Sequence, residues 1–306
     1  MKNHKSNLAF ALCILFSVPC SASGCILVLK HEDTNPVPVS WIKEGMIQNG
    51  VCGTVISTPT VTSGVKDKLH KRGQRDTLVF VPSGAERFRS TDIIYWLHGL
   101  TGFNKRTFQV RLAPQYSWLV VKQKFPAILV VTEMPWSKFT RTQWRRQGRV
   151  FTKQNEFLNY ANEVEEITSK SIRLPTDFRF DRVIIGHSAG GSAIASAAKK
   201  GGLCKANPIG IVFSDSTYGR WFDRSWNGCI AKYFNSSGVR IMVLGQSFGR
   251  PWKCYTRWAK KHRKACRKIE AHRLKLPWTH RRIGDNAIPF FYGRFSDNKY
   301  EDIYER

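Results

Sequence analysis

The chain has 306 residues and a formal net charge of +27, with 49 Lys and Arg against 22 Asp and Glu. That length supports one large α/β domain with a full core and requires no second domain. The positive excess favours anionic surroundings such as envelope polymers, phospholipid headgroups, acidic glycans or nucleic acid. No nucleic-acid-binding motif accompanies it, which argues against specific nucleic-acid recognition.

Residues 1–23 read as a secretory signal peptide. Lys2 and Lys5 precede an apolar run from Leu8 to Val18, Pro19 breaks it, and Ser21-Ala22-Ser23 supplies small residues. The run is too short for a membrane span, and no later segment is long and apolar enough for one. The mature chain is therefore expected in a secreted or periplasmic location. Ala22-Ser23-Gly24-Cys25 also loosely resembles a lipoprotein cleavage site, an alternative that would anchor the chain through Cys25. Cys13 and Cys20 lie in the signal. The even set that remains is expected to form disulfides, and proximity favours Cys25–Cys52, Cys204–Cys229 and Cys254–Cys266.

Residues 24–75 are turn-rich, with Pro36, Pro38 and Pro59, and read as an N-terminal extension packed on a main domain of residues 76–306. In that domain Thr77–Pro82, Asp92–Leu97 and Ala127–Thr132 are predicted strands. Basic residues then concentrate between Arg141 and Arg149. From Glu156 to Ser171 a helix is predicted, with Leu158, Ala161, Val164 and Ile167 on one stripe. Val183–Ile185, Ile209–Ser214 and Val239–Leu244 are further strands. A second basic tract runs from Lys253 to Arg273 and includes a more polar edge strand, Lys268 to Leu276. Trp144 and Trp258, interleaved with the two basic tracts, are candidates for stacking on bases or sugars. Short apolar runs separated by helix-length connectors predict an α/β fold, a mainly parallel central sheet with helices on both faces. Ligands of such sheets bind beyond the carboxyl ends of the strands.

The most informative stretch is Val183-Ile184-Ile185-Gly186-His187-Ser188-Ala189-Gly190-Gly191. A β-branched run enters Gly-x-Ser-x-Gly, and the small-residue segment Ser192–Ala198 follows. This is the pattern of a nucleophile elbow, a strand-to-helix turn so sharp that only small neighbours fit beside Ser188. A serine nucleophile needs a base, and the base needs an orienting acid, in the chain order Ser, Asp or Glu, His. Of His262, His272 and His280, the last is the expected base, in a loop after the final strand. His262 sits among cations and is expected to be solvated, and His272 lies inside a strand. The loop after Val239–Leu244 has no carboxylate, so Asp215, one strand earlier, is the expected acid and Asp223 the second choice. The N–H groups of Ala189 and Leu100 are the expected oxyanion donors. His98, Glu133, Trp136 and Tyr218 follow strands and are weaker candidates for lining the substrate pocket. His98 is expected to hold its loop by hydrogen bonding.

With Leu97-His98-Gly99-Leu100, Gly186–Gly191 and the position of His280, the chain resembles the α/β-hydrolase superfamily, and within it secreted esterase-D-like serine esterases, over about residues 76–295. The resemblance implies a Ser-His-Asp hydrolase without metal or organic cofactor. An exported carboxylic-ester hydrolase is the leading expectation, with an ester-containing substrate and an anionic envelope or glycan surface as its surroundings. Amide or peptide hydrolysis on cell-wall material is an alternative, and a non-catalytic binder of anionic polymers is another. His262, Cys266 and Cys254 are the only obvious metal ligands by spacing, and export favours disulfides over zinc there.

Overall fold

The computed structural model describes residues 25–30, 39–61, 74–100, 104–134, 150–275 and 277–293. The expected signal segment, the basic tract 141–149 with Trp144, and Trp136 lie outside the described residues.

The strands are β1 (Ile26–Lys30), β2 (Gly53–Val61), β3 (Gln74–Pro82), β4 (Ser90–Leu97), β5 (Ile128–Thr132), β6 (Arg179–His187), β7 (Gly210–Ser214), β8 (Arg240–Gln246) and β9 (Glu270–Leu274). They form one sheet in the order β1-β2-β3-β5-β4-β6-β7-β8-β9. β3 runs antiparallel to both β2 and β5, and every other pairing is parallel. The expected sheet is therefore present with an antiparallel element near one side. The segment expected to pack on the main domain contributes β1 and β2 to this same sheet.

The strands are apolar at consecutive positions because both sheet faces are covered. In β4, Ile93, Tyr95 and Leu97 enter one core, and Ile94 and Trp96 enter the other. The first core is closed by Phe157, Tyr160, Ala161 and Val164 of the helix Glu156–Ile172, and by Ala193 and Ile194 of the helix Gly190–Ser196. Its buried stripe is rotated from the expected one, with Leu158 and Ile167 only half-buried. The second core is closed by the helix Val39–Gln48, the helical stretch 107–122 and the helix Ala287–Tyr292. β9 alternates half-buried and exposed residues, which is why its sequence lacks an apolar run.

Two expected disulfides are present, Cys25–Cys52 and Cys204–Cys229. The first of these bonds joins the N-terminal strand β1 to β2. The third expected pair does not form, and Cys254 and Cys266 are free. The Cys266 sulfur faces the hydroxyl of buried Tyr255 at 3.4 Å. Neighbouring side chains on a helix diverge by about 100°, so a sulfur turned toward Tyr255 is turned away from Cys254. Trp258 is also not available for stacking on a ligand: it is 4% exposed and packs on Phe222, Trp226 and His262. His262 is correspondingly half-buried, its ring stacked 4.8 Å from that of Trp258, rather than solvated. No group of three metal-ligating side chains occurs among the described residues, and no helix among them is long and apolar enough to cross a membrane.

Thiol titration of the unreduced, denatured chain lacking residues 1–23 should find two reactive thiols, from Cys254 and Cys266. Finding none would mean that these two cysteines are oxidised, and more than two would remove one of the disulfides.

Candidate active site

β6 ends at His187, and Ser188 follows with φ of 53°. A left-handed conformation costs a residue with a side chain about 1–3 kcal/mol and persists only where its surroundings enforce it. Here the Ser188 N–H donates to the Ser214 carbonyl at 3.1 Å, and the Ser188 carbonyl accepts from Gly191 N–H at 3.1 Å. A Cβ on Gly190 would stand 2.1 Å from the Leu97 carbonyl oxygen, so the end of β4 admits only glycine there. The turn feeds directly into the helix Gly190–Ser196.

Asp215 follows β7 in the same way, with φ of 44° and 1% exposure. Its N–H donates to the Leu244 carbonyl at 2.8 Å, and its Oδ1 accepts from the Gln246 N–H at 3.3 Å. Its Oδ2 lies 2.5 Å from Nδ1 of His280. His280 is not in a loop, as expected from sequence, but opens the helix His280–Gly284. The physical reason is Thr279, whose hydroxyl caps that helix by accepting from Arg282 N–H at 3.2 Å. His280 and Ser188 line one pocket of about 270 Å³, together with Trp96, His98, Gly99 and Leu100. Asp223 pairs instead with Arg220 at 3.3 Å. His272 lies in β9, with its ring 6.0 Å from that of Phe290.

Gly99 packs directly on the serine, since a Cβ there would stand 2.9 Å from the Ser188 Cβ. His98 fixes this loop. Its Nε2 accepts from Met134 N–H at 2.9 Å, which puts its proton on Nδ1, and Nδ1 donates to the Gly99 carbonyl at 2.7 Å. The Gly99 carbonyl and the Leu100 N–H belong to one planar trans peptide. Holding the carbonyl toward the imidazole therefore aims the Leu100 N–H the opposite way.

Tyr218 places its hydroxyl 3.4 Å from His280 Nδ1. Glu133 is not among the pocket-lining residues: it is 4% exposed, and its N–H is tied to the Asp76 carbonyl at 2.9 Å. Sequence reasoning assigned no role to His187, whose ring stacks on that of His280 at 4.8 Å and whose Nε2–H donates to the His280 carbonyl at 3.2 Å. Its place beside the serine in Gly-His-Ser-Ala-Gly was the available signal. Arg106, Arg111, Arg281 and Asp285 also line the pocket, and nothing in the sequence brings these distant positions together.

No family model matches the chain, and no curated protein matches it. Among solved structures, the chain is similar to an IroE-like serine hydrolase from Shewanella oneidensis, with a TM-score of 0.45 and 15% identity over 76% of this chain and 77% of that one. It is also similar to the fluorophosphonate-binding serine hydrolase FphF of Staphylococcus aureus, with a TM-score of 0.48 and 11% identity over 78% and 98% of the two chains. The S-formylglutathione hydrolase FrmB of Staphylococcus aureus has a TM-score of 0.49 and 11% identity over 78% and 96%. These likenesses are distant, at 11–15% identity and TM-scores below 0.5.

Burial dominates the electrostatics of the two structural histidines. It pushes His98 down to about 4, against a smaller opposing effect of the Gly99 carbonyl, and His187 down to about 3, with the nearby His280 adding to the effect. Both are neutral at pH 7. In the unfolded chain each titrates near 6.5. Between those values the unfolded chain binds more protons than the folded one, so their contribution is complete above about 6.5 and is lost as pH falls toward 4. Asp92 acts in the opposite direction. Burial raises it to about 6, so its contribution is lost as pH rises through that value. At 1.4 kcal/mol per unit, two histidines against one carboxyl leave a net loss of about 2 kcal/mol between pH 7 and pH 5. Denaturant unfolding at the two pH values should show this loss, and equal stabilities would contradict neutral burial of both imidazoles.

Proposed function

We propose that this chain is an exported serine hydrolase acting on carboxylic esters. The observation that carries this reading is the 2.5 Å contact between Asp215 Oδ2 and His280 Nδ1, in a pocket that His280 shares with the strained Ser188. Ser188 is the nucleophile and attacks the acyl carbon. With Nδ1 turned to Asp215, the other ring nitrogen of His280 takes the hydroxyl proton and later delivers it to the leaving alcohol. Asp215 orients the ring and stabilises the imidazolium formed during attack. The N–H groups of Ala189 and Leu100 bind the tetrahedral oxyanion, and water then releases the acyl group. His98 and His187 hold the loop and the base in place without exchanging protons. Export is supported by the signal-like first 23 residues and by the two disulfides, which belong to an oxidising compartment.

The second basic tract is the proposed contact with an anionic envelope or glycan surface. No acidic residue occurs between positions 250 and 269, and Lys253, Arg257, Lys260, Lys261, Lys264 and Lys268 are exposed there. Such a surface raises the local concentration of polyanions, in a way that salt screens.

Ser188→Ala should abolish ester hydrolysis and labelling by a fluorophosphonate while the protein stays folded, a loss of about 10⁵-fold or more in kcat. Turnover near the wild-type level would remove Ser188 from the mechanism.

Asp215→Asn keeps the side-chain shape but favours the wrong imidazole tautomer, and should lower kcat by about a thousandfold or more. Asp223→Asn, in a surface ion pair with Arg220, should change kcat little. The reverse pattern on the same ester would move the acid to Asp223.

A further inference from the structure

The proposed reaction uses none of the three arginines in the pocket. Arg106 and Arg111 come from the start of the helical stretch 107–122, and Arg281 from the helix that carries His280. Asp285 is the one carboxylate among the described residues that line the same pocket, and its two oxygens lie 3.6 Å from Arg111 Nε and 3.6 Å from Arg281 Nε. Three guanidiniums against one carboxylate leave an excess of two positive charges among these lining side chains, which the Asp215 carboxylate behind His280 reduces to one. The neutral imidazoles of His98 and His187 do not compensate it. Arg106 is exposed and has no carboxylate partner among the described residues.

Arg111 is the informative member. Its side chain is 26% exposed, yet its Nε is buried and has no hydrogen-bond partner among the described residues. A separation of 3.6 Å is outside hydrogen-bond reach. Leaving a buried charged donor unfilled is costly, and that cost falls when an acceptor arrives. A structural ion pair with Asp285 alone would be expected to close to a bidentate fork, the geometry in which Arg and carboxylate fit best. This fork is open, and it borders the cavity that holds Ser188.

We propose that Arg111, supported by Arg106 and Arg281, forms an anion subsite in this pocket, so that the ester the chain hydrolyses carries a carboxylate or a similar oxyanion. The assignment rests on the ester-hydrolase reading and narrows its substrate class. A substrate oxyanion would fill the Arg111 fork and take the charge excess of the pocket, adding binding energy away from the scissile bond. Binding of that kind appears mainly in KM.

Two pairs of matched esters test it. Mono-4-nitrophenyl glutarate against 4-nitrophenyl pentanoate places the anion on the acyl side, and 4-acetoxybenzoate against its methyl ester places it on the alcohol side. At least one anionic probe should exceed its neutral partner in kcat/KM by about tenfold, mainly through KM, as one charge-assisted hydrogen bond provides. Arg111→Gln should cut that ratio by about fivefold or more, as should Arg106→Gln, an exposed position where loss of fold is not expected. Neutral probes turned over as well as both anionic ones, or a ratio unchanged in both variants, would overturn the subsite while leaving the hydrolase reading intact. If none of the four probes is cleaved and no fluorophosphonate label forms, the hydrolase reading fails instead. Whenever none of the four probes is cleaved, labelled or not, the subsite is decided by calorimetric titration with glutarate: binding that weakens in Arg106→Gln upholds it, and no binding, or binding unchanged in that variant, refutes it.

Discussion

The parallel pairing of β6 with β7 is the constraint on which the site depends. Its register sets His187 opposite Ser214, so the next residue of each strand, Ser188 and Asp215, leaves the sheet at the same level. Both then adopt left-handed backbone, at φ of 53° and 44°, although neither is glycine. Two such residues store about 2–6 kcal/mol of strain. The sheet holds them through the Ser188 N–H to Ser214 bond and the Asp215 N–H to Leu244 bond. A one-residue slip between these strands would separate Ser188 from Asp215 and turn the core side chains of the slipped strand to the opposite face. Position of the chemistry and burial of the core are therefore enforced by the same hydrogen bonds.

The walls of the pocket divide the electrostatic work. His98 and His187 are buried and neutral, and act as rigid hydrogen-bonding spacers. Each makes contact with a group that bears on the chemistry, the Gly99–Leu100 peptide in one case and the His280 backbone in the other. The arginines around Asp285 supply fixed positive charge. A charged imidazole in place of either spacer would add to that excess and repel a proton leaving Ser188. Burial keeps both spacers uncharged at neutral pH, so neither adds to that excess.

Much of this was legible in the sequence because the relevant signals are local. The apolar runs that became β3 to β8 are long enough to be read alone, and the small residues around Ser188 are dictated by contacts such as Gly190 against Leu97. The polar β9 was readable only as an edge strand, since its alternation between half-buried and exposed positions carries little apolar signal. What was not legible depends on side chains meeting across the fold. The Cys254–Cys266 pairing was inferred from proximity, but Tyr255 decides where the Cys266 sulfur points. His280 was placed in a loop because the cap supplied by Thr279 is a single hydrogen bond. The convergence of Arg106 and Arg111 with Arg281 and Asp285 joins positions about 175 residues apart, and no periodicity records it.

The candidate acid Asp215 is held from two strand ends. The loop after β8 reads Gly245-Gln246-Ser247 and has no carboxylate to offer. It contributes a backbone donor instead: the Gln246 N–H binds Asp215 Oδ1 and leaves Oδ2 for His280. Because Ser214 of β7 pairs with Leu244 of β8, the two strand ends are adjacent, and a carboxylate from either one borders the same histidine. Asp215 therefore lies one strand, about 4.8 Å, from the end of β8, within reach of that backbone donor.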